Sequence, residues 1–305
     1  MAEYESLACR RGRTGRFSAP VYTLGERLTE PQAVCPPSNV HLYMSADLPS
    51  KNGLAIEFRG VSYRFAEGSE LISSLNLQVH RSETLVLLGR SGSGKTTTLK
   101  LINALASPTS GEVFVEGRPT SQWDPIRLRR GIGYVIQDAG LFPHFTVERN
   151  VGLVPTIENW PADRVSQRVM ELLQVVGLDA GLATRYPREL SGGQRQRVGV
   201  ARALAADPPL LLMDEPFGAL DPITRAELQR EFLALQKRLE KTVVFVTHDL
   251  REALLLGSRI ALMEAGKLVA ALSPEEFVRS TDPMVKQYLD AFGELPTTNG
   301  NRGCA

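Results

Sequence analysis

The chain has 305 residues, of which 43% are hydrophobic, and 35 basic side chains nearly balance 34 acidic ones for a formal net charge of +1. This length can bury the core of one large domain or two small ones, and the near-neutral charge argues against nucleic acid as the main partner. No apolar run approaches the roughly 20 residues that cross a bilayer, and the N-terminus has no apolar signal core.

The first 53 residues show no sustained helical or strand periodicity, which predicts a disordered N-terminal extension. A solvated tail is favoured over a contact of the arginine-rich residues 10–13 with anionic lipid, and Met44 is an alternative start. The cysteines fit neither a metal site nor a disulfide framework and are interpreted as incidental thiols; they are Cys9, Cys35 and Cys304.

Order is predicted to begin at residue 54. Residues 54–58 alternate between apolar and polar side chains, residues 60–65 follow, and residues 74–79 alternate again with period two. Two or three antiparallel strands are therefore predicted before residue 80, and residues 112–115 are predicted to form another short strand. The most informative motif of the sequence lies between them.

That motif is the segment 89–96, Gly-Arg-Ser-Gly-Ser-Gly-Lys-Thr, which has the pattern of a phosphate-binding loop between a buried strand and a helix. Glycines let the backbone wrap around an anion, and the amide groups at the helix N-terminus then face the phosphates. Lys95 is predicted to reach the β- and γ-phosphates, and the Thr96 hydroxyl to ligate Mg²⁺. The predicted phosphate-binding residues of this segment are Gly89, Arg90, Ser91, Gly92, Ser93, Gly94, Lys95, Thr96 and Thr97.

A helical insert is predicted over about residues 138–189. It follows a buried strand at residues 132–136 and contains a proline-broken apolar segment at residues 141–145. Its main helix spans residues 161–176, with Pro161 in the first turn.

After the insert, residues 190–194 read Leu-Ser-Gly-Gly-Gln. Ser191 is predicted to cap a helix whose first residues are glycines, leaving amide groups and the positive end of a helix dipole open to an anion. The alternative is an ordinary glycine-rich cap.

Two further buried strands end in polar residues, at the sheet edge where α/β proteins bind ligands. Residues 210–213 lead into Asp214 and Glu215, and residues 242–247 lead into His248. Asp214 is predicted to hold Mg²⁺ through water, Glu215 to polarise an attacking water as general base, and His248 to contact the γ-phosphate. Taken singly, the acidic pair is as consistent with a helix cap, and the histidine with a structural role.

The domain is predicted to close with a hairpin formed by residues 260–263 and 267–270, and with one short helix that begins at a capping box at residues 273–276. Residues 291–305 are predicted to be a flexible tail. The hairpin, the helix and the tail take up the 57 residues after His248.

In combination, the phosphate-binding loop, the Leu-Ser-Gly-Gly-Gln segment and the Asp-Glu pair closely resemble the ATPase subunits of ATP-binding-cassette (ABC) transporters, over about residues 54–289. The resemblance implies an ATPase domain at residues 54–290 with an α/β fold: a P-loop NTPase core of mostly parallel sheet and flanking helices, an N-terminal antiparallel β subdomain and the inserted α-helical subdomain. It also implies that ATP lies between two copies of the chain. The loop of one copy would face the signature residues of the other, which are Ser191, Gly192, Gly193 and Gln194.

The same resemblance implies roles for residues that the motifs alone leave open. Gln137 would contact Mg²⁺ and the membrane partner, and Asp221 would lie in the loop that crosses the dimer seam. Phe65 would stack on adenine, with Tyr63 as the less favoured substitute and plain core packing as the alternative for Phe65. Arg90 departs from the proline common at its position, which should not abolish binding because the backbone makes the contacts there. The implied catalytic residues are Glu215, His248, Lys95 and Gln137, with Mg²⁺ held by Thr96, Gln137 and Asp214.

Residues 133–144, 202–209 and 218–225 resemble the ATPases of osmoprotectant importers, which take up quaternary amines such as glycine betaine, choline or carnitine. This implies ATP hydrolysis coupled to a separate membrane permease, with residues 141–145 in contact with it unless they pack within the insert. A solute-binding protein would act indirectly, and the chain would lie at the cytoplasmic face of the membrane. The alternatives are an importer of a different small solute, a soluble ABC ATPase, and a regulator that binds ATP without turnover. The single cassette with its short insert argues against the soluble ATPase, and Glu215 with His248 argues against the regulator.

Overall fold

The computed structural model of the protein describes residues 53–218 and 220–292. The predicted N-terminal extension up to residue 52, with its arginine cluster and Met44, lies outside the described residues. So do the three cysteines and nearly all of the predicted C-terminal tail.

The described residues form ten strands, which fall into two sheets. The strands are β1 (Leu54–Arg64), β2 (Glu70–His80), β3 (Thr84–Leu88), β4 (Ser110–Val115), β5 (Arg118–Pro119), β6 (Ile132–Val135), β7 (Leu210–Asp214), β8 (Thr242–Thr247), β9 (Arg259–Glu264) and β10 (Lys267–Leu272).

Ten α-helices and three short 3₁₀ turns connect these strands in the described part of the chain. The helices are α1 (Lys95–Ile102), α2 (Pro125–Arg130), α3 (Val147–Val151), α4 (Leu153–Ile157), α5 (Ala162–Val175), α6 (Gly192–Leu204), α7 (Pro222–Leu239), α8 (Leu250–Leu256), α9 (Pro274–Arg279) and α10 (Pro283–Ala291). The 3₁₀ turns are Thr120–Gln122, Ala180–Leu182 and Pro187–Glu189.

The six-stranded sheet carries the polar strand ends that the sequence singled out. Its order is β10-β9-β3-β8-β7-β6, and all neighbours are parallel except the hairpin β9–β10. Every residue of β3, β7 and β8 is buried, as in a sheet covered on both faces. The parallel register brings the ends of β3, β8 and β7 to one edge, which confirms the predicted mostly parallel core.

The smaller sheet is antiparallel, with the order β2-β1-β4-β5. The sequence predicted two or three strands before the phosphate-binding loop and left open whether residues 54–58 and 60–65 form one strand or two. A single strand, β1, runs through Gly60, which takes a φ of 57°, and its pairing with β2 shifts register between Phe58 and Val61. A β-bulge therefore interrupts the regular pairing of β1 next to Gly60.

The predicted helical insert contains α3, α4 and α5, between β6 and β7. On α5, Val169, Leu172 and Leu173 are buried at helical spacing. Pro161 is the N-cap of α5 and not a residue of its first turn, so the prediction was wrong by one position there.

The predicted closure by one short helix was incomplete. The capping box is present at the start of α9, where the Ser273 hydroxyl oxygen accepts a hydrogen bond from the Glu276 N–H at 3.2 Å. A second helix, α10, follows with Asp282 as N-cap and Pro283 in its first turn. Across the described residues, no helix combines the length and apolarity that crossing a membrane requires.

Candidate functional site

The phosphate-binding loop joins the buried strand β3 to α1, as predicted. Gly92 and Gly94 have φ values of 80° and 97°, which favour glycine because it has no Cβ. Gly94 is the N-cap of α1 and provides no side-chain cap, so the first amide groups of the helix stay available to an anion. At Gly89, an added Cβ would collide with the Met263 carbonyl oxygen of β9.

Lys95, the first residue of α1, extends its side chain back into this loop. Its Nζ donates hydrogen bonds to the carbonyl oxygens of Gly89 and Arg90, both at 2.8 Å. Burial lowers the pKa of the Lys95 ammonium from its ordinary value, and the negative charges of Glu215 and Asp214 oppose that shift. The loop therefore holds a buried cation whose present partners are neutral carbonyls, and which an anionic phosphate would attract more strongly.

Thr96 and Asp214 bring an oxygen pair together from α1 and the end of β7. The Thr96 hydroxyl donates to Asp214 Oδ1 at 3.1 Å. Burial raises the pKa of the Asp214 carboxyl, and the hydrogen bond from Thr96 acts in the opposite direction. A hydroxyl and a single carboxylate beside a phosphate-binding loop suit Mg²⁺, which usually takes its other ligands from phosphates and water. No group of three or more His, Cys, Asp or Glu side chains in the described residues is placed to hold a metal ion by itself.

Glu215 and His248 meet at the same sheet edge, from the ends of β7 and β8. Glu215 Oε2 lies 3.1 Å from His248 Nδ1. Glu215 has a φ of 45°, and its N–H donates to the Val246 carbonyl at 3.0 Å, which holds the residue in this uncommon conformation. The His248 side chain is 61% exposed, so the ring is accessible to a ligand.

Glu215, His248 and the first residues of the phosphate-binding loop line a cavity of about 440 Å³. Gly89, Arg90, Ser91, Glu215 and His248 line one side of it, and Gln287, Tyr288, Ala291 and Phe292, from α10 and the residue that follows it, line the other. Sequence reasoning missed the second set. The Asp-Pro pair at residues 282–283 is a helix-start signal that could have revealed α10, but no local signal indicates that the helix packs beside the phosphate-binding loop.

Tyr288 ties α10 to the sheet. Its hydroxyl donates to Glu264 Oε2, at the end of β9, at 3.1 Å. Burial is the largest cause that raises the Tyr288 pKa, followed by the charge of Glu264. This contact fixes the far wall of the cavity to the strand that packs against Gly89.

Ser191 caps α6, as the sequence predicted. The Ser191 hydroxyl accepts from the Gln194 N–H at 3.2 Å, and Gln194 Oε1 accepts from the Ser191 N–H at 2.9 Å. Ser191 and Gly192 are exposed, and Gly193 is buried against Thr224 of α7. None of the three lines the 440 Å³ cavity of its own chain.

Phe65 and Asp221 also lie apart from the cavity lining. Phe65 is 41% exposed and stands edge-on to Tyr63, with ring centroids 5.7 Å apart. Tyr63 packs against the core, so exposure favours Phe65 over Tyr63 as the residue available to a ligand. Asp221 is exposed and caps α7, where its Oδ1 accepts from the N–H groups of Ile223 and Thr224, both at 3.1 Å. Hydrogen bonds, first from the Thr224 side chain, lower the Asp221 pKa.

Gln137 is exposed two residues beyond the end of β6. The apolar segment 141–145 follows it, and Phe142 in this segment is 41% exposed. Asn150, fully buried on α3, fixes the segment: its Oδ1 accepts from the Phe142 N–H at 2.8 Å and its Nδ2 donates to the Phe142 carbonyl at 3.1 Å. No local pattern in the sequence predicted these hydrogen bonds of Asn150.

A second cavity, of about 290 Å³, lies between the sheet core and the helical insert. Its lining is mixed, with arginines and apolar side chains: Arg129, Arg130, Phe142, Leu153, Val154 and Arg202 are among the residues that face it. Arg202 donates to the Ala139 carbonyl at 2.6 Å and the Gly140 carbonyl at 2.7 Å. Arg202 therefore connects the lining of this cavity to the segment that begins at Gln137.

Comparison with known proteins places this geometry in context. The model of the family "ABC transporter" matches residues 72–218. The chain is 48% identical over 235 residues to the choline transport ATP-binding protein OpuBA of Bacillus subtilis, an alignment that covers 77% of this chain and 62% of that protein. It is 47% identical over 234 residues to the glycine betaine uptake system ATP-binding protein YehX of Escherichia coli, covering 76% of each.

Among solved structures, a dimeric ATP-binding cassette in a post-hydrolysis state with bound ADP and Pi matches with a TM-score of 0.65 at 34% identity, over 72% of this chain and 98% of that one. The present chain therefore spans nearly a full cassette of that structure, but less than two thirds of the length of OpuBA.

Proposed function

Because this chain belongs to the ABC transporter family of nucleotide-binding ATPases, we propose that it hydrolyses ATP to drive the import of an osmoprotectant through a separate membrane permease. One observation carries the hydrolysis: the phosphate-binding loop, the Thr96–Asp214 pair and the Glu215–His248 pair converge at one sheet edge. The solute class rests on the similarity to a choline transport protein and a glycine betaine uptake protein.

In this proposal, the amide groups of the loop and of the first turn of α1 bind the β- and γ-phosphates of ATP. Lys95 exchanges its contacts with the Gly89 and Arg90 carbonyls for phosphate oxygens. Thr96 and Asp214 hold Mg²⁺, which neutralises phosphate charge when bound, and Gln137 approaches from the end of β6.

Hydrolysis needs a water in line with the bond between the γ-phosphorus and the bridging oxygen. The Glu215 carboxylate accepts a proton from this water as its oxygen bonds to phosphorus, and ADP leaves with the bridging oxygen. His248 contacts the γ-phosphate on the same side, and its contact with Glu215 fixes the two side chains relative to each other.

The γ-phosphate side of the site is completed by a second copy of the chain. Ser191 and the N-terminus of α6 are exposed and lie outside the cavity of their own chain, so they are free to face ATP bound to a partner. The dimeric state of the similar cassette with bound ADP and Pi supports this arrangement. Asp221 and its loop would lie at the seam between the two copies.

The proposed function is tested by assembling the chain with its permease and solute-binding protein in vesicles and measuring ATP-driven uptake of labelled glycine betaine, choline and carnitine. We expect uptake of at least one of them, and none with the Lys95→Ala variant. Uptake of an unrelated solute alone would replace the osmoprotectant assignment. Failure to co-purify with any membrane protein would favour a soluble ABC ATPase.

Phe65 is proposed to stack on the adenine ring. Phe65→Ala should raise the KM for ATP about tenfold with little change in kcat, because base stacking contributes about 1–3 kcal/mol to binding, while Phe65→Trp should retain the wild-type KM. Leu105→Ala is the matched control, since Leu105 is also an exposed apolar residue but lies beyond the far end of α1. An unchanged KM in Phe65→Ala would remove Phe65 from the site.

The 290 Å³ cavity, together with segment 141–145, is proposed as the contact with the permease, at the membrane's cytoplasmic face. Phe142→Glu should reduce ATP-driven uptake about tenfold or more, because it places a charge where an apolar anchor should dock, and leave the ATPase activity of the isolated chain within about twofold. Val278→Glu, at a similarly exposed apolar residue on α9, should leave both activities intact. Equal losses of uptake in the two variants would rule out this contact surface.

A further inference from the structure

The structure contains a buried carboxylate that the proposed reaction does not use. Glu252 on α8 is only 5% exposed. Burying an ionisable side chain is costly unless hydrogen bonds and charges compensate it, and a core position could be filled by an apolar residue. Its partners therefore indicate what the carboxylate does.

One Glu252 oxygen reaches the strand that carries His248. The Thr247 hydroxyl, at the buried end of β8, donates to Glu252 Oε2 at 2.6 Å. The same hydroxyl oxygen accepts from the Asp249 N–H at 3.0 Å. Thr247 and Asp249 flank His248, so a single hydroxyl fixes the backbone on both sides of the histidine and is itself oriented by Glu252.

The other Glu252 oxygen reaches α7. Gln229 Nε2 donates to Glu252 Oε1 at 3.0 Å. One turn earlier on α7, Arg225 lies 3.9 Å from Asp249 Oδ2 and 3.4 Å from the carbonyl oxygens of Gly218 and Leu220. The helix that bears Gln229 therefore also holds the loop proposed to cross the dimer seam.

We propose that Glu252 is a positioning residue that acts through Thr247 to orient His248, and that it links the histidine to α7 and thereby to the dimer-seam loop. The inference rests on the proposed function, in which His248 contacts the γ-phosphate. It adds a chain of contacts from the dimer-seam loop to His248. When two copies close at that loop, these contacts would change the position of His248.

The first test removes the Thr247 hydroxyl while keeping the shape of the side chain. In the full chain, Thr247→Val should lower the kcat for ATP hydrolysis about tenfold, the size of one lost hydrogen bond to a charged group, while KM stays within about twofold; Thr247→Ser should restore the activity. Thr242→Val is the matched control: Thr242 lies buried at the other end of β8, where its hydroxyl accepts from the Ser82 N–H at 3.0 Å. It should lose stability but not kcat.

A second readout does not depend on hydrolysis. The chain has four histidines, so the imidazole resonance of His248 can be assigned in an NMR spectrum by comparison with His248→Ala; the others are His41, His80 and His144. Thr247→Val should move the His248 resonance and leave the other three, and Thr242→Val should move none. If the wild-type chain hydrolyses no ATP, the proposed function fails while this spectrum still tests the positioning.

The role of Glu252 is tested by comparing the kcat of single variants with that of the double variant. Glu252→Gln should retain most activity, because an amide can still accept from Thr247 while Gln229 turns its own amide. Glu252→Ala should match the loss in Thr247→Val, and the double variant should be no worse than either single one, as for residues acting in one network. If the losses of kcat in the two single variants added in the double variant, Glu252 would not act through Thr247. A kcat and a His248 resonance in Thr247→Val that both match Thr242→Val would overturn the inference as a whole.

Discussion

The variant Glu215→Gln should hydrolyse ATP about 10²–10⁴ times more slowly than the wild-type chain, the range expected for loss of a general base. Glutamine keeps the size of the side chain and can still approach His248, but an amide does not accept a proton from water at neutral pH. ATP binding should be preserved, because Lys95, Thr96 and the loop amides are unchanged. Turnover measured by phosphate release and affinity measured by equilibrium dialysis with labelled ATP would separate the two effects.

Glu264→Gln provides the control for this experiment. Glu264 also ends a strand of the same sheet, but its carboxylate is engaged with the Tyr288 hydroxyl on the far wall of the cavity. Because the glutamine carbonyl can still accept the hydrogen bond from the Tyr288 hydroxyl, this replacement should change turnover by no more than about threefold. If Glu215→Gln turned over ATP like the wild type, the assignment of Glu215 as base would be abandoned.

The second large effect is expected at Ser191, which the proposal places against the ATP of a partner copy. Ser191→Glu should reduce turnover by about 10²-fold or more, since it sets a carboxylate against a γ-phosphate and removes a favourable donor from the reacting centre. Binding of ATP to the single chain should be unaffected, because Ser191 is not part of the cavity of its own chain.

Ser273→Glu is a close structural control for Ser191→Glu. Ser273 caps α9 by the same reciprocal pattern, with the hydroxyl accepting from the Glu276 N–H at 3.2 Å, as Ser191 does from the Gln194 N–H. Both replacements disturb a cap and should cost similar stability, about 1 kcal/mol. If both reduced turnover equally, lost stability and not contact with a partner would explain the effect.

Local patterns in the sequence were sufficient for the parts of the site that lie at strand ends. A buried apolar run followed by a polar residue predicted the positions of Asp214, Glu215 and His248, because the carboxyl ends of parallel strands meet at one edge. The cap at Ser191 was predictable for a similar reason: its hydrogen bonds involve only residues three positions apart.

Contacts between residues distant in the chain were not predictable. Nothing near Tyr288 indicates that α10 packs beside the phosphate-binding loop, and nothing near Glu252 indicates that Gln229 faces it from α7. Asn150 is an ordinary polar residue in the sequence, yet its side chain fixes the backbone around Phe142. The sequence also left open whether residues 54–58 and 60–65 form one strand or two, because the pairing with β2 and β4 that carries β1 through Gly60 involves residues distant in the chain.

The central claim is that two identical chains share each site. It is tested most directly by mixing two variants that are each nearly inactive, Lys95→Ala and Ser191→Glu. In a mixed dimer, one site combines the intact Lys95 of one chain with the intact Ser191 of the other. An equal mixture should therefore recover roughly a quarter of the wild-type ATPase activity, since half of the dimers are mixed and each has one complete site. Activity no greater than the average of the two separate variants would contradict the shared site.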